Sequence, residues 1–257
     1  MSTGPSDARP RQVRVADDVR MKIESGEYEP GAQLPTLDEL AATYRVSLAV
    51  TRKAMDLLRQ QGLVVTVQGK GTFVREYAPL CWWPGTFEHL AKRRDTPAAG
   101  ADAWAADVLD QGRQPSQDVD VSVVEPPSEV AERLGIPEGE RVVVRRRLRL
   151  VDDVPFQIAD SYYPRDIAEG TDIMTPGDTT IPGGLMAAAG HAQIRFRDEI
   201  TVRMPTHVEA FRLDLPVGTP VAEHLRTGYD SDGRAVRVII TIVPGDRHKI
   251  VYEVSAT

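Results

Sequence analysis

The stretch from Leu34 to Val74 constrains the fold most strongly, because it contains two short helical patterns in succession. The first helix is predicted to begin after Thr36, an N-cap whose capping-box partner is Glu39. The apolar residues that follow recur at helical spacing as far as Ala41. A short link, residues 44–46, then joins this helix to a second one.

The second predicted helix begins after Ser47, another N-cap, and ends at Gly62. Its apolar stripe is predicted to comprise Val50, Ala54, Leu57 and Leu58. Two β-branched segments follow, and the turn residues 68–71 separate them. Helix, turn, helix and hairpin form the outline of a winged helix-turn-helix, whose second helix enters the major groove of DNA.

Basic residues dominate this region, although the chain as a whole carries a formal net charge of −7. Asp56 is the only acid between Arg45 and Arg75. The basic residues there are Arg45, Arg52, Lys53, Arg59, Lys70 and Arg75. DNA binding requires a local basic face rather than a basic protein. An ordinary solvated helix with a hairpin is the weaker alternative, because stripe, caps, turn and charge coincide.

A dense series of motifs runs through the first third of the chain. It comprises Val15–Val19, Ile23–Tyr28, Pro30-Gly31, Leu34-Pro35, Glu39–Ala41, Val46-Ser47, Arg52, Ala54, Leu57, Gly62–Val64 and Gln68–Val74. In this order the motifs resemble the DNA-binding domain of the GntR family of bacterial transcription regulators. The resemblance implies that this part of the chain binds double-stranded DNA.

The resemblance also implies which side chains contact DNA. Arg52 stands where the family uses an arginine on DNA, and Lys70 lies in the hairpin turn, or wing. Leu48 and Asp38 depart from the family, since many members carry arginine at both positions. The common family operator is therefore not expected, and Leu48 could touch a thymine methyl group instead. The predicted DNA contacts are Thr36, Ser47, Leu48, Thr51, Arg52, Lys53, Gln68, Gly69, Lys70 and Thr72.

Length and composition bound the remaining possibilities. The 257 residues suffice for two domains, and the hydrophobic fraction of 41% is ordinary for a soluble protein. Residues 1–11 are polar, lack the apolar core of a signal peptide and are predicted to be a disordered tail. The single cysteine, Cys81, excludes an internal disulfide and a multi-cysteine metal site. We expect a cytoplasmic protein with no cofactor, no metal and no membrane partner.

The DNA-binding domain is expected at residues 12–76, a linker at residues 77–100 and a second domain at residues 101–257. The second domain mixes helical patterns with strands. Residues 141–151 form a strong strand pattern that returns through the turn Asp152-Asp153 to residues 155–163. Another hairpin loop is predicted at residues 230–235, and residues 249–254 are expected to complete the sheet. This pattern predicts an α+β domain built on an antiparallel sheet.

Further motifs occur in order along the second domain. They are Ala131–Ile136, Glu138-Gly139, Arg147–Arg149, Pro155, Ser161–Pro164, Asp198–Ile200, Glu209-Ala210, Leu213–Pro216, Gly218–Val221, Tyr229, Asp232–Arg234 and Gly245–Arg247. Together they resemble the UTRA ligand-sensing domain of the HutC subfamily of GntR regulators. The resemblance implies a chorismate-lyase-like fold that binds a small-molecule effector without catalysis.

Three arginines, Arg145, Arg147 and Arg149, alternate along one predicted strand and therefore share one face. Guanidinium groups in this arrangement suit an anionic ligand. A surface strand paired with neighbouring acids remains an alternative for Arg145, whereas Arg147 and Arg149 match the ligand-binding pair of the family. For Tyr163, the sequence is compatible with a core position and with a ligand contact. The predicted effector contacts are Trp104, Arg145, Arg147, Arg149, Ser161, Tyr163 and Arg237.

The resemblance further bears on the class of effector. Relatives that bind sugar phosphates place hydroxyl side chains on both sides of an aromatic residue, where this chain has Ala103 and Ala105 around Trp104. They also carry a glutamate for sugar hydroxyls at the position of Ala159, and another near Arg237. The loss of acceptors and the gain of a cation favour an anionic ligand with fewer hydroxyls, such as a carboxylate-bearing metabolite.

We therefore expect a transcription regulator, in particular a repressor, that reads a palindromic operator as a homodimer and responds to a small molecule. The alternative is a lyase, or another enzyme of chorismate-lyase-like fold, fused to a DNA-binding domain. The five histidines are scattered and no Gly-x-Ser-x-Gly motif occurs, so no catalytic residue is predicted. A third possibility is a DNA-binding protein without a ligand, but unpaired arginines inside a domain are energetically unfavourable.

Overall fold

The computed structural model describes residues 9–67, 69–75, 79–84, 103–177, 181 and 184–253. The chain divides into two compact units. The first comprises Met1–Pro79 and Pro216–Thr219, and the second comprises Leu80–Leu215 and Pro220–Thr257. Each unit encloses apolar clusters of its own.

Three helices build the first unit, namely α1 (Arg11–Glu24), α2 (Leu37–Tyr44) and α3 (Leu48–Gln60). The predicted capping box at the start of α2 is present. The Glu39 N–H donates to the Thr36 hydroxyl at 3.3 Å, and the Thr36 N–H donates to the Glu39 carboxylate at 2.7 Å. These hydrogen bonds satisfy N–H groups that a helix start otherwise leaves without partners.

The buried face of α3 differs from the predicted stripe. The buried residues are Thr51, Ala54, Met55 and Leu58. Ala54 and Leu58 of the predicted stripe are buried, and Leu57 is half-buried against the same core, whereas Val50 is half-buried and lies outside that cluster. The prediction missed Thr51 because a polar residue was not counted as a core residue, although its spacing from Ala54 and Met55 places it on their face.

The wing is a hairpin of β1 (Val64–Val67) and β2 (Gly71–Val74), as predicted. The preceding loop supports it, because the Gln33 side-chain amide donates to the Lys70 carbonyl at 2.9 Å. Gly71 adopts a φ of +123°, and a Cβ there would lie 2.6 Å from that same amide nitrogen. The glycine therefore permits both the turn and its close approach to Gln33.

The second unit contains eight further strands among the described residues. They are β3 (Leu80–Trp82), β4 (Pro115–Val124), β5 (Val142–Val151), β6 (Val154–Tyr163), β7 (Arg195–Arg203), β8 (Val221–Tyr229), β9 (Ala235–Pro244) and β10 (His248–Ile250). Six of them form one antiparallel sheet in the order β4-β5-β6-β9-β8-β7. The predicted α+β class and both predicted hairpins are confirmed.

A β-bulge in β6 sets the register of the β5–β6 hairpin. Across from Arg149 the pairing skips Phe156 and takes Gln157 instead. Beyond this bulge Arg145 lies opposite Ser161. The face of the sheet that carries Arg145, Arg147 and Arg149 is called the arginine face below.

Short helices cover parts of both sheet faces. They are α4 (Ala103–Asp110), α5 (Ser128–Leu134), α6 (Arg165–Ala168), a 3₁₀ turn (Asp172–Met174), α7 (Leu185–Ala188) and α8 (His207–Arg212). On the face opposite the arginine face, α5 packs through Val130 and Leu134 against Tyr162. On the arginine face, α6, the 3₁₀ turn and α7 pack around Tyr163. Tyr163 is therefore part of the core, as one of its two interpretations proposed.

Part of the predicted linker forms a strand. β3 pairs in parallel with β10, so the expectation that the C-terminal strand completes the main sheet was wrong. Trp82 explains this arrangement, because its side chain is 5% exposed and packs with Ala222, Val243 and Ile250. The remainder of the predicted linker, apart from residues 79–84, lies outside the described residues.

Arg247 ties two parts of the second unit together. Its side chain is 4% exposed and donates to the carbonyls of Pro155, Leu213 (2.9 Å) and Asp214 (2.8 Å). A planar guanidinium with several N–H groups can serve three backbone carbonyls at once. The charge is therefore buried among carbonyl oxygens that would otherwise have lost their water.

We predict that Arg247→Met lowers the free energy of unfolding of the second unit by about 2–4 kcal/mol, since buried acceptors lose their donors. Urea unfolding followed by tryptophan fluorescence measures this, because all three tryptophans, Trp82, Trp83 and Trp104, belong to that unit. Arg165→Met is the control, since Arg165 makes only a half-exposed helical ion pair with Glu169. Equal losses in the two variants would contradict the prediction.

Candidate functional site

The start of α3 presents side chains to solvent. Ser47, Leu48, Arg52 and Lys53 are all exposed. The Ser47 hydroxyl accepts a hydrogen bond from the Val50 N–H at 3.4 Å and so caps the helix. Leu48 is 44% exposed, which makes a large apolar side chain available next to the helix start. A recognition helix needs such a face, with polar, cationic and apolar groups that reach base edges and phosphates.

Between Arg45 and Lys70, four cations have side chains that make no hydrogen bond or ion pair with any described residue. They are Arg45, Arg52, Lys53 and Lys70, and all four are exposed. Arg59 differs, because it is bound by Asp56 at 2.7 Å and donates to the Thr66 hydroxyl at 3.1 Å. Fewer cations are therefore available to bind phosphate than the number of basic residues in this stretch of sequence suggests.

The wing holds the remaining predicted DNA contacts. Gly69, with a φ of +75°, and Lys70 are exposed at its tip. Thr72 is half-buried, and its hydroxyl lies 3.3 Å from the Thr66 hydroxyl. Gln68, also predicted to contact DNA, lies outside the described residues.

Two predicted contacts are engaged inside the unit. Thr51 is 0% exposed and donates to the Ser47 carbonyl at 3.3 Å, so its side chain has no route to DNA and we remove it from the proposed contacts. Thr36 is exposed, but its hydroxyl donates to the Glu39 carboxylate at 2.8 Å. For Thr36 the capping role is therefore the one that the geometry supports.

In the second unit, the arginine face brings four predicted residues together. Arg147 is 8% exposed and donates through Nη1 to the Ser161 hydroxyl at 3.1 Å. Arg237 on β9 donates through Nη2 to the same oxygen at 3.2 Å. The Arg237 guanidinium also lies 5.6 Å from the centroid of the Tyr163 ring. Neither Arg147 nor Arg237 forms an ion pair with a carboxylate of the described chain.

The cations also act on Tyr163, which is 1% exposed. Burial raises the pKa of its phenol, but the positive charges of Arg237, Arg147 and Arg145 outweigh burial, and the Ser161 hydroxyl acts in the same direction. The pKa of Tyr163 therefore lies below its ordinary value. This environment favours negative charge on any group that enters it.

Trp104 and Arg149 form a second part of the same face. The Arg149 guanidinium lies 4.8 Å from the centroid of the Trp104 ring, a cation–π contact, and its Nε donates to Gln117 at 3.3 Å. Trp104 is 1% exposed, and its indole N–H has no hydrogen-bond partner among the described residues. A buried donor of this kind is rare and is consistent with a ligand acceptor.

Arg145 has a different role from the predicted one. Its guanidinium is 1% exposed and donates to the carbonyls of Ile173 (2.8 Å), Thr175 (2.6 Å) and Gly177 (2.9 Å). The alternative of a surface position was wrong, since the residue is buried. Arg145 therefore positions the segment that follows the 3₁₀ turn, and we do not propose it as a ligand contact.

Two buried polar residues of this face were missed in the sequence. Gln157 lies opposite Arg149 and is 2% exposed, and Thr241 lies opposite Ala159 and is 3% exposed. Their alternation with apolar neighbours was a usable signal, but only the bulged register shows that they share the arginine face.

Another arginine on this face is paired with a carboxylate. Arg226 binds the Asp198 carboxylate with Nε at 2.6 Å and Nη2 at 2.7 Å, and His224 lies 3.0 Å from the same carboxylate. Burial raises the pKa of Asp198, but these two partners lower it more, so the group remains ionised. This cluster is therefore neutralised within the chain, unlike Arg147 and Arg237.

Among the described residues, no group of three or more His, Cys, Asp or Glu side chains is placed to hold a metal ion. No helix in the described part of the chain is long and apolar enough to cross a membrane.

A winged helix-turn-helix with unpaired surface cations is followed by a sheet domain in which Arg147 and Arg237 share one hydroxyl and have no carboxylate partner among the described residues. This combination defines the class of ligand-binding transcription regulators. The family model for bacterial regulatory proteins of the gntR family matches residues 11–74, and the UTRA domain model matches residues 110–249. The chain belongs to the GntR family and carries a UTRA domain.

Individual relatives agree with this assignment. An HTH-type transcriptional regulator of Streptomyces coelicolor is 34% identical over 251 residues, covering 95% of this chain and 92% of the relative. The HTH-type transcriptional repressor NagR of Bacillus subtilis is 24% identical over 244 residues, and the match covers 95% of this chain and 94% of the repressor. A crystal structure of a GntR-family regulator matches with a TM-score of 0.61 at 27% identity, and the match covers 97% of this chain and 99% of the other. These relatives are named as regulators, so the enzyme alternative is not supported.

We predict that Arg52→Ala weakens operator binding by roughly 1–3 kcal/mol and leaves the fold intact, because the exposed side chain makes no hydrogen bond or ion pair with the described residues. Fluorescence anisotropy with operator DNA measures the affinity. Thr51→Val is the matched control on the adjacent buried position and is expected to leave DNA affinity unchanged. Unchanged operator binding by the Arg52 variant would show that Arg52 does not contact the operator.

We predict that Lys70→Ala weakens binding to all DNA sequences about equally and reduces the salt slope of log affinity by about one unit, since the wing lysine neutralises one phosphate. Titrations at several salt concentrations, with operator and unrelated DNA, measure both quantities. A loss confined to one operator base would show that Lys70 reads a base instead.

Proposed function

We propose that this protein is a repressor whose operator affinity is controlled by an anionic small molecule bound on the arginine face. The family supports DNA binding and effector binding, and NagR, a relative that spans nearly the whole chain, is named a repressor. The action takes place in the cytoplasm, where the operator is accessible.

The single observation that carries the effector proposal is the shared hydroxyl of Ser161. Two guanidiniums, from Arg147 and Arg237, converge on this one neutral oxygen with no carboxylate of the described residues beside them. Burying like charges together is unfavourable unless an anion neutralises them. A bound carboxylate or phosphate would receive charge-assisted hydrogen bonds from both groups.

The surroundings favour a ligand with few hydroxyl groups. Ala105, next to Trp104 in the chain, and Ala159, opposite Arg147 in the sheet, are buried. Their side chains offer no hydrogen-bond donor or acceptor. Trp104 adds a large apolar ring and one indole N–H, which suits an acceptor oxygen on an otherwise apolar body. We therefore propose a carboxylate-bearing metabolite rather than a sugar phosphate. The proposed contacts are Trp104, Arg147, Arg149, Ser161 and Arg237.

For the DNA side we propose a homodimer that reads a palindromic double-stranded operator, one winged helix per half-site. Residues 12–76 would form the DNA-binding domain and residues 101–257 the effector domain. The proposed DNA contacts are Ser47, Leu48, Arg52, Lys53, Gln68, Gly69 and Lys70, with Thr72 beside them in the wing. Effector and operator then compete or cooperate through a coupling free energy of about 1–3 kcal/mol.

We predict that calorimetry detects binding of an organic acid from a small panel of di- and tricarboxylates, and that Arg147→Ala weakens it at least about tenfold because a charge-assisted hydrogen bond is lost. Arg146→Ala is the matched control, since Arg146 points to the other face and pairs with Asp160 at 3.7 Å. Its effect on binding should be small.

Sugar phosphates form the opposing arm of the same experiment. Tight binding of glucosamine 6-phosphate that Arg147→Ala abolishes would refute the proposed ligand class while retaining the site. Binding of a panel member that Arg147→Ala leaves unchanged would refute the site itself.

A further inference from the structure

The turn between α2 and α3 contains a residue in an unfavourable backbone conformation. Arg45 directly follows α2 with a φ of +51° and a ψ of +49°, in the left-handed region. Its N–H donates to the Ala42 carbonyl at 3.3 Å, and the Val46 N–H donates to the Ala41 carbonyl at 3.0 Å. This hydrogen bonding ends the helix, and glycine or asparagine is the usual residue at such a position because a Cβ crowds the backbone there.

Arg45 differs from the other residues that share this conformation. In the described part of the chain, three further non-glycine residues have a positive φ, and all three are aspartates, namely Asp152, Asp153 and Asp214. A short carboxylate side chain tolerates the left-handed region because it can hydrogen-bond to nearby groups. The exposed side chain of Arg45 makes no hydrogen bond or ion pair with the described residues, so none of these interactions offsets its strain. Strain of this kind concentrates at functional sites.

Arg45 lies beside the start of α3. Ser47, the N-cap of α3, is two residues further along the chain. Val46, between them, packs against the core of the first unit, whereas Arg45 and Ser47 are exposed. Two residues span at most about 7 Å, and an extended arginine side chain has a similar length. The guanidinium group is therefore within one side-chain length of the helix start.

The width of the major groove decides what a residue at this position can reach. The groove is about 12 Å wide, and a helix with its side chains is about 10–12 Å across. A helix that enters the groove therefore fills it, and a residue just outside the helix start lies nearer to the sugar–phosphate walls than to the base edges. An exposed guanidinium group at such a wall is suited to binding phosphate.

We propose that Arg45 binds a DNA phosphate beside the base pairs that α3 contacts. This inference rests on the proposed entry of α3 into the major groove, and it adds a contact that the sequence pattern did not predict. Asparagine would close the same turn with less strain, so the positive charge is what arginine adds at this position. Arg45 thus destabilises the turn of the unbound protein and stabilises its complex with DNA.

Substitutions at Arg45 separate the charge from the backbone conformation. Arg45→Asn removes the charge and suits the left-handed region, whereas Arg45→Lys keeps the charge and the strain. Fluorescence anisotropy at several salt concentrations, with operator and unrelated duplex DNA, measures the affinity and its salt slope. We expect Arg45→Asn to weaken both complexes roughly fivefold to tenfold per bound protomer at about 0.1 M salt and to reduce the slope by about one unit per protomer. Arg45→Lys should retain the wild-type slope.

Two controls accompany this experiment. Hydrogen exchange of the α2 and α3 amides reports the local stability of the same variants. Exchange in Arg45→Asn should be no faster than in the wild type, because the substitution relieves strain. Arg165→Asn removes one positive charge from the second unit, where Arg165 pairs with Glu169, and should leave the affinity and the slope unchanged.

Unchanged affinity and salt slope in Arg45→Asn would overturn the inference. Equal losses in the asparagine and lysine variants would also overturn it, because the charge would then not be responsible. A loss confined to the operator would overturn the phosphate contact in favour of base recognition. If Arg45→Asn accelerates exchange, Arg45→Gly replaces it, since glycine adopts this conformation without strain, and an unchanged slope in that variant equally overturns the inference.

The Arg52→Ala variant separates this inference from the proposed placement of α3. If Arg52→Ala weakens operator binding and Arg45→Asn does not, only the Arg45 contact fails. If neither variant weakens binding, the entry of α3 into the major groove fails as well.

Discussion

One extra residue in a strand determines the chemistry of the arginine face. The Asp152-Asp153 turn alone would place Arg145 opposite Asp160, but the bulge at Phe156 shifts the register and places Ser161 there instead. A one-residue shift exchanges the two sheet faces. The carboxylate thereby moves to the opposite face, and the arginine face keeps a neutral hydroxyl. The bulged Phe156 is itself fully buried, which fixes the shift in the core.

The buried guanidiniums then differ only in what satisfies them. Arg145 and Arg247 donate to backbone carbonyls, and Arg226 is neutralised by Asp198. These three are structural, since each has partners that hold it in one place. Arg147 shares the one neutral hydroxyl with its neighbour, so it has the largest unmet demand for negative charge. Arginine thus occurs both in the scaffold and in the proposed site, and the groups that each guanidinium contacts distinguish the two roles.

Sequence patterns predicted the first unit well because its signals are local. Caps such as Thr36 and Ser47 act within one helical turn, whereas Thr51 was misplaced because residue type was weighed above spacing. In the second unit the strands were predictable from alternation, but long-range partners were not. Arg145 binds carbonyls that have no side-chain signature, and β3 pairs with a strand from the far end of the chain.

Exposure determines how each group of cations recognises an anion. The exposed cations of α3 and the wing act in water, where salt screens them and counterion release dominates affinity. The arginine face lies under short helices, where screening is weak and desolvation is large. A diffuse negative charge stabilises a cation there only weakly, whereas one oxyanion placed for direct hydrogen bonds stabilises it strongly. An acidic chain can thus present a few surface cations to DNA, while the proposed effector site selects one small anion through arginines that are largely shielded from water.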